Sequence, residues 1–163
     1  MGSFPAKIIG VFLAFILMVF APIITVTLVD DIKIERRTWN YLTDFTDIAS
    51  DKGILTENDY TEFVTKLGAT TVDYEVIISV QHKLVLPGNS AGEYTIRYTT
   101  SGLWKSAAGG ITGDFYMEAG DNLQVILRPL TSTAGDKILQ AFLKFTPSNV
   151  EYSYSANVRN NGR

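Results

Sequence analysis

The sequence predicts an α+β protein, with a long N-terminal transmembrane helix extending into an ectodomain that has a four- to five-stranded antiparallel sheet and two short helices. Three observations lead to this fold. Residues 8–29 carry no charge, a helical apolar period continues beyond them, and later segments alternate with period two. We expect residues 1–7 to be a cytoplasmic stub, 8–29 the anchor, 30–52 a helix extension and 53–163 the ectodomain.

The uncharged segment 8–29 has the length of a membrane span. Its 22 residues would extend about 33 Å as a helix, against about 30 Å for a hydrocarbon core. A cleaved signal peptide is the alternative, with its best small-residue site at Val19-Phe20-Ala21. Pro22 would directly follow that cut, and the apolar run is longer than a signal core, so we expect an uncleaved anchor.

Cations flank the anchor on both sides, so the positive-inside rule does not settle its orientation. Lys7 precedes it, and Lys33, Arg36 and Arg37 follow it, interleaved with acids. Long domains translocate largely regardless of charge. We therefore expect a single-pass protein of the cell membrane with its C-terminal domain outside.

Small residues interrupt the bulky side chains of the anchor. Gly10, Ala14 and Ala21 would admit close helix contact, although their spacing is not that of a GxxxG motif. Pro22 removes a backbone donor and predicts a kink. We interpret these four residues as part of an assembly interface, and a plain anchor with an ordinary membrane proline is the equally weighted alternative.

Helical periodicity continues past the anchor, because no glycine or proline occurs between Val29 and Gly53. We predict one helix from about residue 8 to 50, about 64 Å long, with Gly53 in the left-handed position that ends it. Trp39, Leu42 and Phe45 are predicted to pack under the sheet or against a neighbouring subunit, as assembly residues. The whole predicted stripe consists of Ile32, Trp39, Leu42, Phe45, Ile48 and Ala49.

Two capping signals predict the short helices. Thr56 with Asp59 begins one that ends at Gly68, and Thr133 with Asp136 begins the other. Both helices are predicted to cover the sheet. Their predicted buried stripes are Tyr60, Phe63, Val64 and Leu67 in the first, and Ile138, Leu139, Phe142 and Leu143 in the second.

Period-two alternation predicts the strands. Residues 72–86 and 94–98 should form a hairpin around the turn residues 87–90, and residues 150–158 should form a terminal strand. The glycine-rich stretch 101–113 is predicted to be a loop. A second hairpin is predicted between residues 115–117 and 122–128.

No pattern of residues predicts catalysis. The net charge of −3 is not that of a basic nucleic-acid-binding protein, so we expect no nucleic-acid partner. The absence of cysteine excludes thiolate metal sites. His82, the single histidine, is interpreted as a packed edge residue. Two acidic sets offer oxygen ligands of the kind that calcium prefers but lack EF-hand spacing. We predict no metal, no cofactor and no enzyme activity. Those sets are Asp44, Asp47 and Asp51, and Asp114, Glu118 and Asp121.

A half-apolar helix before a small antiparallel sheet resembles the layout of type IV pilins and pseudopilins. The segment from Phe45 to Tyr74, with Gly120-Asp121 before a strand, resembles small anchored proteins of Gram-positive bacteria similar to components of tight-adherence-type pilus or secretion clusters. The resemblance implies a structural, non-catalytic subunit whose partners are the membrane, other subunits and copies of itself. The residues of that segment that carry it are Gly53, Ile54, Leu55, Thr56, Tyr60, Phe63, Leu67 and Tyr74.

The chain departs from the pilins at its amino terminus. Pilins are cut after a glycine that precedes phenylalanine or a similar residue, and usually carry a glutamate five residues into the mature helix. Neither Gly2-Ser3-Phe4 nor Gly10-Val11-Phe12 restores this pattern, and the anchor has no acid. The resemblance therefore implies an accessory or minor subunit. A single-pass sensor or ligand-binding ectodomain and a tethered envelope enzyme are the alternatives.

Overall fold

The computed structural model describes residues 4–88, 93–144 and 150–162. Helix α1 (Phe4–Lys52) is continuous over 49 residues, and Pro22 lies inside it without ending it. The prediction of one long helix is confirmed, and the helix begins at Phe4, within the segment 1–7 that is predicted to be a cytoplasmic stub. Within the described part of the chain, α1 is the one helix long and apolar enough to cross a membrane.

Local signals at the end of α1 act as the sequence predicts. Gly53 adopts φ +69°, and its N–H donates to the Ala49 carbonyl at 3.0 Å. Helix α2 (Glu57–Gly68) then begins at Thr56, whose hydroxyl accepts from the Asp59 N–H at 3.0 Å. The end of α1 and the start of α2 therefore each follow from residue types within one turn of the boundary.

In the described part of the chain, six strands form two antiparallel sheets. The larger sheet has the order β3-β2-β5-β6, and β1 pairs with β4 in a separate two-stranded ribbon. The four-stranded sheet agrees with the prediction, as does the terminal strand. The strands are β1 (Ile54–Leu55), β2 (Tyr74–Pro87), β3 (Tyr94–Lys105), β4 (Phe115–Tyr116), β5 (Asn122–Pro129) and β6 (Tyr152–Asn157).

Two strand predictions are wrong. Residues 115–116 pair with residues 54–55 rather than with β5, so there is no second hairpin at this position. Their neighbour Met117 donates its N–H to the Gly53 carbonyl at 2.8 Å, which holds this segment at the end of α1. Residues 101–105, predicted to be loop, continue β3, because β2 is long enough to pair with them as far as Lys105.

Helix α1, rather than the two shorter helices, covers the sheet. It packs against β5 and β6, and both α2 and the third helix, α3 (Ala134–Leu143), pack against it. Phe45 of α1 and Phe63 of α2 stack with ring centroids 4.3 Å apart. The anchor and the wall of the ectodomain core are therefore one continuous helix.

The buried face of α1 differs from the predicted stripe. Leu42 is fully buried, whereas Trp39 is 42% exposed and Ile32 and Ile48 are each 50% exposed. Thr38 and Thr46 are buried in their place. The Thr46 hydroxyl donates to the Leu42 carbonyl at 2.7 Å, so the helix satisfies a polar group that a hydropathy pattern assigns to solvent.

Helix α3 begins as predicted, with the Thr133 hydroxyl accepting from the Asp136 N–H at 3.1 Å. It ends at Lys144, whose φ of 50° is left-handed. In α2, Val64 is exposed rather than buried. The predicted turn residues Asn89 and Ser90 and the predicted stripe side chains Phe142 and Leu143 lie outside the described residues.

We expect the folded protein to lose stability between about pH 10 and pH 12, partly through Tyr152. Burial, followed by the charge of Glu35, raises the pKa of Tyr152 to about 12 from 10.0. A raised folded-state pKa gives a contribution that is complete below the unfolded value and lost as the pH rises through the folded value.

Urea unfolding of the full chain at several alkaline pH values measures this effect. The free energy of unfolding of Tyr152→Phe should decline less steeply with rising pH than that of the wild type. Tyr94→Phe removes an exposed phenol, and its free energy of unfolding should follow that of the wild type. Equal slopes for wild type and Tyr152→Phe would contradict the assignment.

Candidate interaction surface

Strands β2 and β3 continue beyond the rest of the sheet. The pairing of β5 with β2 ends at Gln81 and Asn122, whereas β2 and β3 remain paired up to Pro87 and Tyr94. We call this two-stranded extension, residues 82–87 with 94–99, the arm. At about 3.3 Å per residue it projects roughly 20 Å past the four-stranded sheet.

The arm points away from the anchor. At the start of β2, the Tyr74 hydroxyl lies 3.2 Å from the Thr38 hydroxyl of α1. Near the other end of the sheet, the Arg159 N–H donates to the carbonyl of Ser50, close to the end of α1. Strand β2 therefore runs alongside α1 from the position of Thr38 toward that of Ser50. Its continuation, the arm, extends beyond the end of α1.

One face of the arm is apolar and aromatic. Val85 lies directly opposite Ile96, and Tyr98 and Tyr94 lie opposite Lys83 and Pro87 on either side of that pair. Four of these side chains are each more than half exposed: Val85, Ile96, Tyr98 and Tyr94. Contiguous exposed apolar and aromatic side chains of this kind mark protein–protein contact sites.

The other face and the edge of the arm are also accessible. Leu84 and Leu86 are exposed on the face that continues the core side of β2. Strand β3 is the first strand of the sheet, and within the described residues no strand pairs with its outer edge. An open edge presents unpaired backbone donors and acceptors to another chain.

A part-buried hydrogen bond supports the base of the arm. His82 Nδ1 lies 2.7 Å from Asp121 Oδ1, and Asp121 is only 4% exposed. The second Asp121 oxygen accepts from the Glu118 N–H at 3.0 Å, and Glu118 Oε2 lies 4.0 Å from His82 Nε2. These contacts fix the 118–121 turn to the first residue of the arm.

This pair was missed from the sequence, where His82 is interpreted as an edge residue and Asp121 as an ordinary turn acid. The two are 39 residues apart, and no spacing signal connects them. Within the described residues no serine, threonine or lysine side chain hydrogen-bonds to His82, and no group of three metal-binding side chains occurs. The hydrogen bond between His82 and Asp121 therefore connects the arm to the 118–121 turn.

The predicted assembly residues fall into three groups. Leu42 and Phe45 lie in the core of their own domain, under the sheet. Trp39 is partly exposed and packs edge-on against Tyr154, with ring centroids 6.1 Å apart. The anchor residues Gly10, Ala14, Ala21 and Pro22 are exposed along α1 and are not brought together with the arm.

Comparison of the chain with known protein families, with curated proteins and with solved structures found no match. The resemblance to pilin-like proteins therefore stays a prediction. The functional interpretation depends on the arm and on α1.

Proposed function

We propose that this protein is a structural, non-catalytic subunit of a cell-envelope filament or secretion assembly. The arm is the observation that carries the proposal. It places exposed apolar side chains on both faces and leaves a strand edge open, which is unfavourable for a protein that stays alone in water. Covering the arm with another subunit would remove that apolar area from water.

The anchor supports the same proposal. Helix α1 holds the ectodomain at the cell membrane, with the C-terminal domain outside and the arm directed away from the lipid. The remaining part of α1 after Val29 would separate the arm from the membrane by about 35 Å of helix. Such a layout presents the arm to a neighbouring subunit and agrees with an accessory or minor pilin-like role.

A ligand-binding ectodomain is the second candidate, because a cavity of about 130 Å³ lies between α1, α3 and the sheet. Asp31, Glu35 and Asp136 line it, together with Tyr74 and Tyr152. Small-molecule sites usually have volumes of about 300 Å³ or more. This cavity is smaller than that, and the exposed apolar face and open edge of the arm rank the assembly role first.

Native crosslinking in the producing cell tests the assembly role. We expect the wild type to appear in species larger than the monomer, and Ile96→Asp to reduce that fraction roughly tenfold, since a charge would enter the centre of the apolar face. Leu130→Asp is the matched control, because Leu130 is similarly exposed but lies outside the arm.

Both variants should unfold in urea at the wild-type concentration, which separates assembly from folding. A wild type that is exclusively monomeric in every membrane and filament fraction would overturn the proposal. Equal crosslinking of wild type and Ile96→Asp would show that the arm is not part of the interface.

A further inference from the structure

The start of α3 is tied to the end of the anchor. The Thr133 hydroxyl donates to Asp31 Oδ2 at 2.9 Å, and a Cβ atom at Gly135 would overlap the Asp31 carboxylate. A carboxylate at a helix N-terminus is stabilised by the helix dipole. Asp31 is the second residue after the uncharged segment 8–29, so α3 begins at the level where the anchor ends.

Two observations bear on which side of Asp31 the body of α3 lies. On the sheet side, the space next to Asp31 is the cavity that also borders Ile34 and Glu35. On the anchor side, Ile24 and Thr27 lie on the same helical face as Asp31 and are partly covered. Because α3 packs against α1, we infer that it runs beside the last turns of the anchor.

The depth of α3 follows from helix geometry. Ile24 lies about 10 Å along the helix axis from Asp31, and a helix as long as α3 extends about 15 Å. The half-buried Ile138 and Leu139 supply apolar side chains for packing. A span that ends near Val29 therefore places α3 in the headgroup region of the bilayer.

The outward face of α3 carries positive charge. Its exposed side chains include Lys137 and Gln140, and the exposed Lys144 is the left-handed residue that directly follows the helix. Among the described residues neither lysine forms an ion pair. Unpaired lysines at this depth attract anionic headgroups.

We propose that α3 lies at the membrane surface beside the anchor and binds anionic phospholipid headgroups through Lys137 and Lys144. This inference rests on the proposed anchoring by α1 but is independent of the arm. The bound lipid would hold the ectodomain in one orientation on the membrane, because α3 and α1 contact the bilayer at two separate points.

Fluorescence quenching in lipid nanodiscs tests the proposal on the full chain. The chain contains no cysteine, so Gln140→Cys gives a single labelling site on the outward face of α3. The probes are nitroxide-labelled phosphatidylglycerol and nitroxide-labelled phosphatidylcholine in otherwise identical discs. We expect headgroup nitroxides to quench this label, with phosphatidylglycerol preferred roughly fivefold for each lysine.

Matched variants assign the preference to the two lysines. The double variant Lys137→Gln/Lys144→Gln should lose the preference for phosphatidylglycerol, and Lys83→Gln, on the arm, should keep it. Thr95→Cys places a label on the arm that should remain unquenched. Leu13→Cys places a label in the anchor that acyl-chain nitroxides should quench.

The outcomes separate the two proposals. A quenched Leu13→Cys label with a Gln140→Cys label as unquenched as Thr95→Cys overturns the placement of α3 and leaves the anchor intact. Equal quenching of Gln140→Cys by the two lipids, or a preference that survives loss of both lysines, overturns the headgroup site. An unquenched Leu13→Cys label overturns the anchoring and α3 placement together.

Discussion

Leu42→Ala is expected to destabilise the protein by about 3 kcal/mol, because it would open a cavity under the sheet. The Leu42 side chain is fully buried in the core, with a relative exposure of 0%. The same helix forms the anchor and the wall of this core. Loss of packing here would loosen the ectodomain from the helix that holds it.

Ile48→Ala is the control for Leu42→Ala. Ile48 lies on the same helix, has a comparable aliphatic side chain and is 50% exposed. We expect its effect to remain within about 0.5 kcal/mol. Urea unfolding of the full chain in detergent, followed by tryptophan fluorescence, measures both values. Equal losses would show that burial against the sheet does not distinguish these two positions.

Gly53→Ala is expected to destabilise the protein by about 3 to 4 kcal/mol, because two separate costs combine there. The φ of +69° disfavours any residue with a Cβ atom. That atom would also overlap the Asn160 carbonyl oxygen, a backbone atom that moves only with its chain segment. The C-terminal segment would have to leave the end of α1.

Gly109→Ala separates the two costs. Gly109 also has a positive φ, +97°, but a Cβ atom there would meet nothing within 4 Å. We therefore expect only the conformational cost, about 1 kcal/mol. The same urea titration compares the two variants. A Gly53→Ala protein no less stable than Gly109→Ala would contradict the close approach of the C-terminal segment.

The two proposed contacts lie at opposite ends of the ectodomain. Helix α3 would contact lipid beside Asp31, while the arm begins at His82, near the end of α1. A subunit of this layout binds the membrane and a neighbour without competition between the two surfaces. Variants in one surface should therefore leave the other unaffected, which the crosslinking and quenching experiments measure separately.

Residue type and local spacing were enough to predict the features that depend on neighbours along the chain. The end of α1 at the left-handed Gly53 and the hydroxyl caps at Thr56 and Thr133 each result from residues within one or two turns. Their physical basis is backbone geometry and the satisfaction of the first helical N–H groups. These interactions need no distant partner, so residue type and spacing suffice to predict them.

Which segments meet could not be predicted from local patterns and is known from the folded structure. The pairing of β4 with β1, the burial of Thr38 on α1 and the contact of His82 with Asp121 each join groups distant in sequence. The alternation of residues in a strand predicts which face of the strand is apolar. It does not predict which other strand pairs with its backbone. A buried hydroxyl is tolerated when a partner such as Tyr74 is present, and that partner is specified by the fold.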